Sequence, residues 1–103
     1  MSALVNADAK SLPAYVLRLF VTGNTYRSIK AVENIRRICE EHLKGRYGLE
    51  VIDLYQQPEL AISEQLLAAP TLIKAEPLPV RRMVGDMADE SRVLLGLGLA
   101  STN

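Results

Sequence analysis

Residues Ala14–Val21, Ala-Tyr-Val-Leu-Arg-Leu-Phe-Val, are almost continuously apolar and rich in β-branched and aromatic side chains. A run of this length and make-up reads as a central strand buried on both faces, as parallel sheets require. Thr22-Gly23-Asn24-Thr25 breaks it, and Thr25 is placed to cap a helix. From Tyr26 to Lys44, Ile29, Val32, Ile35, Ile38/Cys39 and His42/Leu43 recur at steps of three and four, with Arg36, Arg37, Glu40 and Glu41 turned outward. Gly45 stops that helix, and Leu49–Leu54 reads as a second strand. Strand, helix and strand make a βαβ unit with a right-handed crossover, so the fold class is α/β.

The second half is less regular. Pro58 opens a short helix through Leu67, with Leu60, Ala61, Glu64 and Leu67 at helical spacing. Ala69–Lys74 reads as a third strand entered through Pro70, and Glu76-Pro77-Leu78-Pro79 as a bend. Val80–Val84 alternates apolar and basic, which suits a strand with one wet face. Gly85-Asp86 is a turn, and Asp89 caps a last helix from Glu90 to about Leu99. The order is βαβαββα: a short polar arm over residues 1–13, then one domain over 14–103. Leu95-Gly-Leu-Gly-Leu99 carries a conflict, because it alternates with a period of two and each glycine costs a helix about 1 kcal/mol. Taken alone it reads as a short frayed helix, though such conflicts also mark segments with two accessible structures.

Composition narrows the function. The chain has 103 residues, with 12 Lys+Arg against 12 Asp+Glu. A protein held on nucleic acid by phosphate contacts usually shows a basic excess, and near-zero net charge favours self-association. No apolar run is long enough for a membrane span, no signal peptide is visible, and a soluble cytoplasmic domain is expected. One cysteine excludes an internal disulfide framework and Cys-rich metal sites.

The order βαβαββα, with a proline entering the third strand, is the thioredoxin order. Redox members of that fold carry Cys-x-x-Cys where the first strand meets the first helix. Here Val21-Thr-Gly-Asn-Thr25 stands there, so that site cannot exchange disulfides. Cys39 reads as a small core residue. His42 reads as a residue near a helix end, where partial positive charge is favourable. Gly23-Asn24-Thr25 reads as a tight turn rather than an anion loop. Lys74, Arg81 and Arg82 cluster around the Pro77–Pro79 bend, either as a solvated strand face or as a basic patch for an acidic protein surface. Composition does not decide between these two. No cofactor, metal or catalytic motif is found.

Several strings resemble the KaiB circadian-clock family: Tyr15-Val-Leu-Arg-Leu-Phe-Val-Thr-Gly-Asn-Thr25, Ser28-Ile-Lys-Ala31, Val51-Ile-Asp53, Gln57-Pro-Glu-Leu-Ala61 and Ala69-Pro-Thr-Leu72. The run Pro77-Leu-Pro-Val-Arg-Arg-Met-Val-Gly-Asp86 and the segment Arg92-Val-Leu-Leu-Gly-Leu97 complete the match, about residues 14 to 99 in one register. The resemblance implies a regulatory protein rather than an enzyme, one that binds the N-terminal ATPase ring of the hexameric KaiC. In the full clock the family also captures KaiA, and it competes for the ring with a histidine kinase whose sensor domain has the thioredoxin-like fold. It further implies two folds. A resting form, usually tetrameric and ordered βαββααβ, rearranges its C-terminal half into the thioredoxin-like monomer that binds KaiC. The free chain is expected in the resting form, as a tetramer or dimer.

On the same grounds Lys74, Arg81 and Arg82 match basic positions of the KaiC contact. Gly48 and Glu50 match positions near the KaiA contact, although Glu50 replaces a common lysine, so KaiA binding is not carried over. Tyr15, Pro70, Pro77, Pro79, Gly96 and Gly98 match positions that influence the fold switch, Pro70 being the thioredoxin-like cis-proline position. Gly98 stands where the clock form commonly has aspartate and Ser101 where it has tyrosine, and the acidic tail typical of that form is missing. These departures suggest a divergent paralogue or a member from a bacterium with a reduced clock, with a stress or adaptation role beside a KaiC-like ATPase. The competing readings are a thioredoxin-like sensor module of a signalling kinase, without fold switching, and a glutathione-dependent enzyme, against which the missing first-strand thiol counts.

Overall fold

A computed structural model of the chain describes residues 13–99. The arm expected over residues 1–13, Pro13 apart, and the departure at Ser101 lie outside the described residues. The elements are β1 (Tyr15–Val21), α1 (Tyr26–His42), β2 (Tyr47–Asp53), α2 (Glu59–Ser63), β3 (Thr71–Glu76), β4 (Arg81–Val84) and α3 (Glu90–Leu97). They form a four-stranded sheet in the order β2-β1-β3-β4. β1 runs parallel to β2 and antiparallel to β3, and β4 is antiparallel to β3. This is the βαβαββα order of the thioredoxin-like fold, the one expected for the binding-competent form.

The sheet explains why β1 is so apolar. It lies between two strands, and Leu17, Leu19, Phe20 and Val21 are all buried. Leu17, Leu19 and Val21 face α1 and α3, where Ala31, Ile35, Ile38, Leu43, Val93 and Leu97 complete the larger core. Phe20 points the other way, into a smaller cluster with Ile52, Leu54 and Ile73 beneath Leu60 and Leu66. One sheet face therefore carries two long helices, while the other has only the five-residue α2.

The start of α1 is fixed by side chains at the β1–α1 turn. The Thr25 oxygen accepts from the Ser28 N–H at 3.3 Å, and the buried Ser28 oxygen accepts from the Thr22 N–H at 3.0 Å. Asp53, at the end of β2, accepts from the N–H groups of Gly23 and Tyr55, both at 2.9 Å. Gly23 has φ +58°, a left-handed conformation that favours glycine, and a Cβ there would also have to displace the exposed Tyr55 ring, which it would meet at 2.8 Å.

Boundaries shift for identifiable reasons. β2 begins at Tyr47 rather than Leu49 because its parallel ladder with β1 runs back to Tyr15↔Tyr47. α2 stops at Ser63, short of Leu67, because Gln65 turns the chain at φ +56°. Leu66, not Leu67, then reaches the core, and Leu67 is 100% exposed. Val80 stays outside β4, and Leu99 outside α3. The Ala69–Pro70, Glu76–Pro77 and Leu78–Pro79 bonds are cis.

Candidate functional site

β4 is an edge strand, and Arg81 and Arg82 present their guanidinium groups on its two sides. Both are exposed. Arg81 makes no ion pair or side-chain hydrogen bond among the described residues. Arg82, on the α2 side, donates to the Glu64 carbonyl at 2.6 Å and to the Gln65 carbonyl at 3.2 Å, so it also pins the segment after α2 to the sheet. Lys74 departs from the expected patch. It pairs with Leu17 and Arg81 on the helix-covered face of β3 and is only 3% exposed. Strand alternation is the cause: neighbours Leu72 and Ala75 straddle the sheet, and position 74 falls on the same side as Leu72. A solvated basic surface therefore contains two of the three expected cations.

Across the α2-side face, Arg82 continues into a row that sequence reasoning missed. Arg18 pairs with Ile73, which in turn pairs with Arg82, and Arg18 also faces Glu50 on β2. Its guanidinium binds Glu64 at 3.1 Å and lies 3.8 Å from Glu50, with Phe20 beneath it at 5.0 Å. Arginine in a buried strand pattern was the available signal, since such a cation needs partners. Gly48 and Glu50 share that face on the other edge strand, and a Cβ at Gly48 would touch Pro13 at 3.7 Å.

The expected switch residues are gathered at one end of β3–α3 only in part. Tyr15 is half-buried against the larger core, with Arg46 over its ring at 6.0 Å. Pro70 is fully buried, and its carbonyl accepts from the Gly85 N–H at 2.9 Å. Pro77 and Pro79 are exposed in the β3–β4 turn. Gly98 takes the left-handed conformation at φ +77° and ends α3. Its N–H reaches the Leu95 carbonyl at 3.0 Å while the Leu99 N–H reaches the Leu94 carbonyl at 2.8 Å, the two bonds of a Schellman motif. Leu94 and Leu99 both pack on the core, which supplies the apolar contact that accompanies such caps. Gly96 lies against the Met83 side chain. The two glycines that weaken the helix locally thus serve a close contact and a cap.

α3 is tied to α1 by charge. Arg37 donates to Glu90 at 2.9 Å, and His42 Nε2 lies 3.1 Å from the same carboxylate. Asn34 adds a bond to the Asp86 carbonyl at 2.9 Å. Glu41, His42 and Glu90 bring ligand-type atoms within 4.8 Å of one another, but Glu90 is already engaged by Arg37, and the group reads as a surface ion-pair cluster. The Arg37 hydrogen bond first, and the His42 bond second, hold the Glu90 carboxyl below its ordinary 4.5. A carboxyl whose pKa falls on folding stabilises the fold above its unfolded value, and the contribution is lost as pH falls through the lowered folded value. Urea midpoints measured between about pH 6 and about pH 3 should therefore drop less in Glu90→Gln than in the parent. Parallel declines would show that the bridge does not stabilise the fold.

The junction that carries catalytic thiols in redox thioredoxins holds Thr22-Gly23-Asn24-Thr25 here. Cys39 is wholly buried, and burial first, then the charge of Glu40, raises its thiol to about 11. It stays protonated at neutral pH, so it is a poor nucleophile. No helix among the described residues is long and apolar enough to cross a membrane.

A family model described as the KaiB domain matches residues 18–99. The circadian clock oscillator protein KaiB of Prochlorococcus marinus is 49% identical over 85 residues, covering 82% of this chain and 81% of the relative. The circadian clock protein KaiB3 of Synechocystis sp. is 49% identical over 84 residues, covering 82% of each. Among solved structures, the N-terminal domain of SasA from Synechococcus elongatus superposes with a TM-score of 0.69 at 22% identity, over 94% of this chain and 95% of that domain. That last likeness supports the fold. The family match over residues 18–99 and the identities place this chain in the KaiB family of circadian clock proteins.

Proposed function

We propose that this chain is a non-enzymatic regulatory protein that binds the ring of a KaiC-like hexameric ATPase and changes its phosphorylation or ATPase state, in circadian timing or stress adaptation. The observation that carries the reading is the β4 edge: Arg81 exposed and uncommitted among the described residues, with Arg82 beside it. Two cations on an edge strand deter unspecific strand pairing and suit a partner with an acidic surface, where complementary charge steers encounter and selects the partner. Lys74 belongs to the core of this form and acts through its stability. The site of action is the cytoplasm. The thioredoxin-like monomer is the docking form, and a resting tetramer of rearranged order supplies it.

Gly48 and Glu50 face a KaiA-like partner only weakly, because Glu50 spends its charge on Arg18. A sensor module of a signalling kinase is the second reading, favoured by the fold shared with the SasA domain. The Gly85-Asp86 turn and the Arg92–Leu97 helix weigh toward KaiB. The separating experiment is complex formation with a purified KaiC-like hexamer in ATP. Binding to the ring supports the proposal, and binding only to a kinase fragment supports the alternative.

A further inference from the structure

We propose that Met83 is a site of reversible oxidation whose sulfoxide releases α3 from the sheet. Met83 sits on the helix-covered face of β4, opposite Leu72, and is half-buried. Its side chain lies flat on the backbone of α3 at Gly96. A Cβ at that glycine would stand 3.0 Å from the Met83 methyl and 3.1 Å from its Cγ, and closer still to the sulfur. Gly96 is thus the opening through which the sulfur reaches the helix, between the buried anchors Val93 and Leu97.

Met83 also lines a cavity of about 230 Å³ with Arg27, Met87, Asp86, Arg92 and Val93, a lining that does not include Gly96. Arg27 and Arg92 are exposed, so the cavity meets solvent and admits a small peroxide. In the reaction the thioether sulfur attacks one peroxide oxygen. The S–O bond forms as the O–O bond breaks, the attacked oxygen's proton passes to the departing oxygen, the sulfur is oxidised by two electrons, and the second oxygen leaves as water. The product is polar and a strong hydrogen-bond acceptor, and thiol-dependent reductases reverse it.

The Gly96 side has no room for that oxygen, and its backbone donors are used within the helix. The cavity lining offers the guanidinium groups of Arg27 and Arg92 as donors, neither of which has an ion pair among the described residues. Turning the oxygen toward them draws the sulfur off Gly96 and loosens the contact that holds α3 on β4. Met87 lines the same cavity but is 5% exposed and packs into the core, so its oxidation would not act on the Gly96 contact. The inference stands apart from any ATPase partner.

The test is treatment of the full chain with hydrogen peroxide, with peptide mass mapping of the added oxygen and amide exchange over residues 90–97. Stoichiometric oxidation of Met83 should speed exchange of that segment by about tenfold or more, reversed by methionine sulfoxide reductase. Met83→Leu should show no peroxide response, and Met87→Leu should respond like the parent. The reductase arm needs no variant, so it decides the matter even if Met83→Leu folds poorly. Unchanged exchange at full Met83 oxidation, or oxidation at Met87 with Met83 left reduced, overturns the proposal.

Discussion

Arg81→Glu is expected to weaken binding to a KaiC-like ATPase ring by about a hundredfold while leaving the folding midpoint nearly unchanged. Placing like charge against an acidic surface costs several kcal/mol, and a hundredfold is about 2.7 kcal/mol. Arg81 has no bonded side-chain partner among the described residues, and surface substitutions of that kind usually stay within about 0.5 kcal/mol in stability. The loss should shrink as salt rises, because counter-ions screen interactions between solvent-exposed charges. Arg82→Ala should behave differently. It removes a cation and also the two bonds to the Glu64 and Gln65 carbonyls, so both affinity and stability fall. Titrations of the ring with each variant at two salt concentrations, beside urea melts, separate these outcomes. Full affinity in Arg81→Glu would move the docking surface away from β4.

Leu97→Ala is expected to cost this form about 2–5 kcal/mol, the usual range for truncating a fully packed leucine. Leu97 is 1% exposed and joins α3 to the core beneath α1. Under the proposed exchange with a resting tetramer, the residue lies in the half of the chain that changes, so the cost falls on the thioredoxin-like form. Two packings of one sequence that differ by only a few kcal/mol can be reordered by such a change. The variant should therefore populate the tetramer more heavily and engage the ring more slowly, read by sedimentation and binding kinetics. A monomeric Leu97→Ala with an unaltered urea midpoint would show that α3 contributes little to this form.

The hydrophobic pattern made most of the fold legible. β1 reads as central because its apolar run is continuous, and its two-sided pairing follows. Thr25 and Asp89 are correctly placed as caps, each accepting from a backbone N–H three residues on. Period-two and period-3.6 patterns say less about faces in short elements. Leu67 fits a helical stripe, yet the chain turns at Gln65 and turns Leu67 out to solvent. Lys74 reads as a surface cation because charge suggests water, whereas strand alternation from Leu72 puts it under the helices. The Gly96–Gly98 conflict was visible, but its resolution needed tertiary partners: the Met83 side chain against Gly96 and the core under Leu94 and Leu99. Arg18, Asp53 and Glu90 act through pairs distant in sequence, which no local spacing announces.

The most direct test of the central claim is native mass spectrometry of this protein incubated for hours with a KaiC-like hexamer and ATP. It reads the free oligomer and any complex together. The account predicts a free tetramer that gives way slowly to monomers bound on the ring, with Arg81→Glu largely absent from it. A protein that never engages the ring would contradict the proposed function and leave a KaiB-family fold serving another partner.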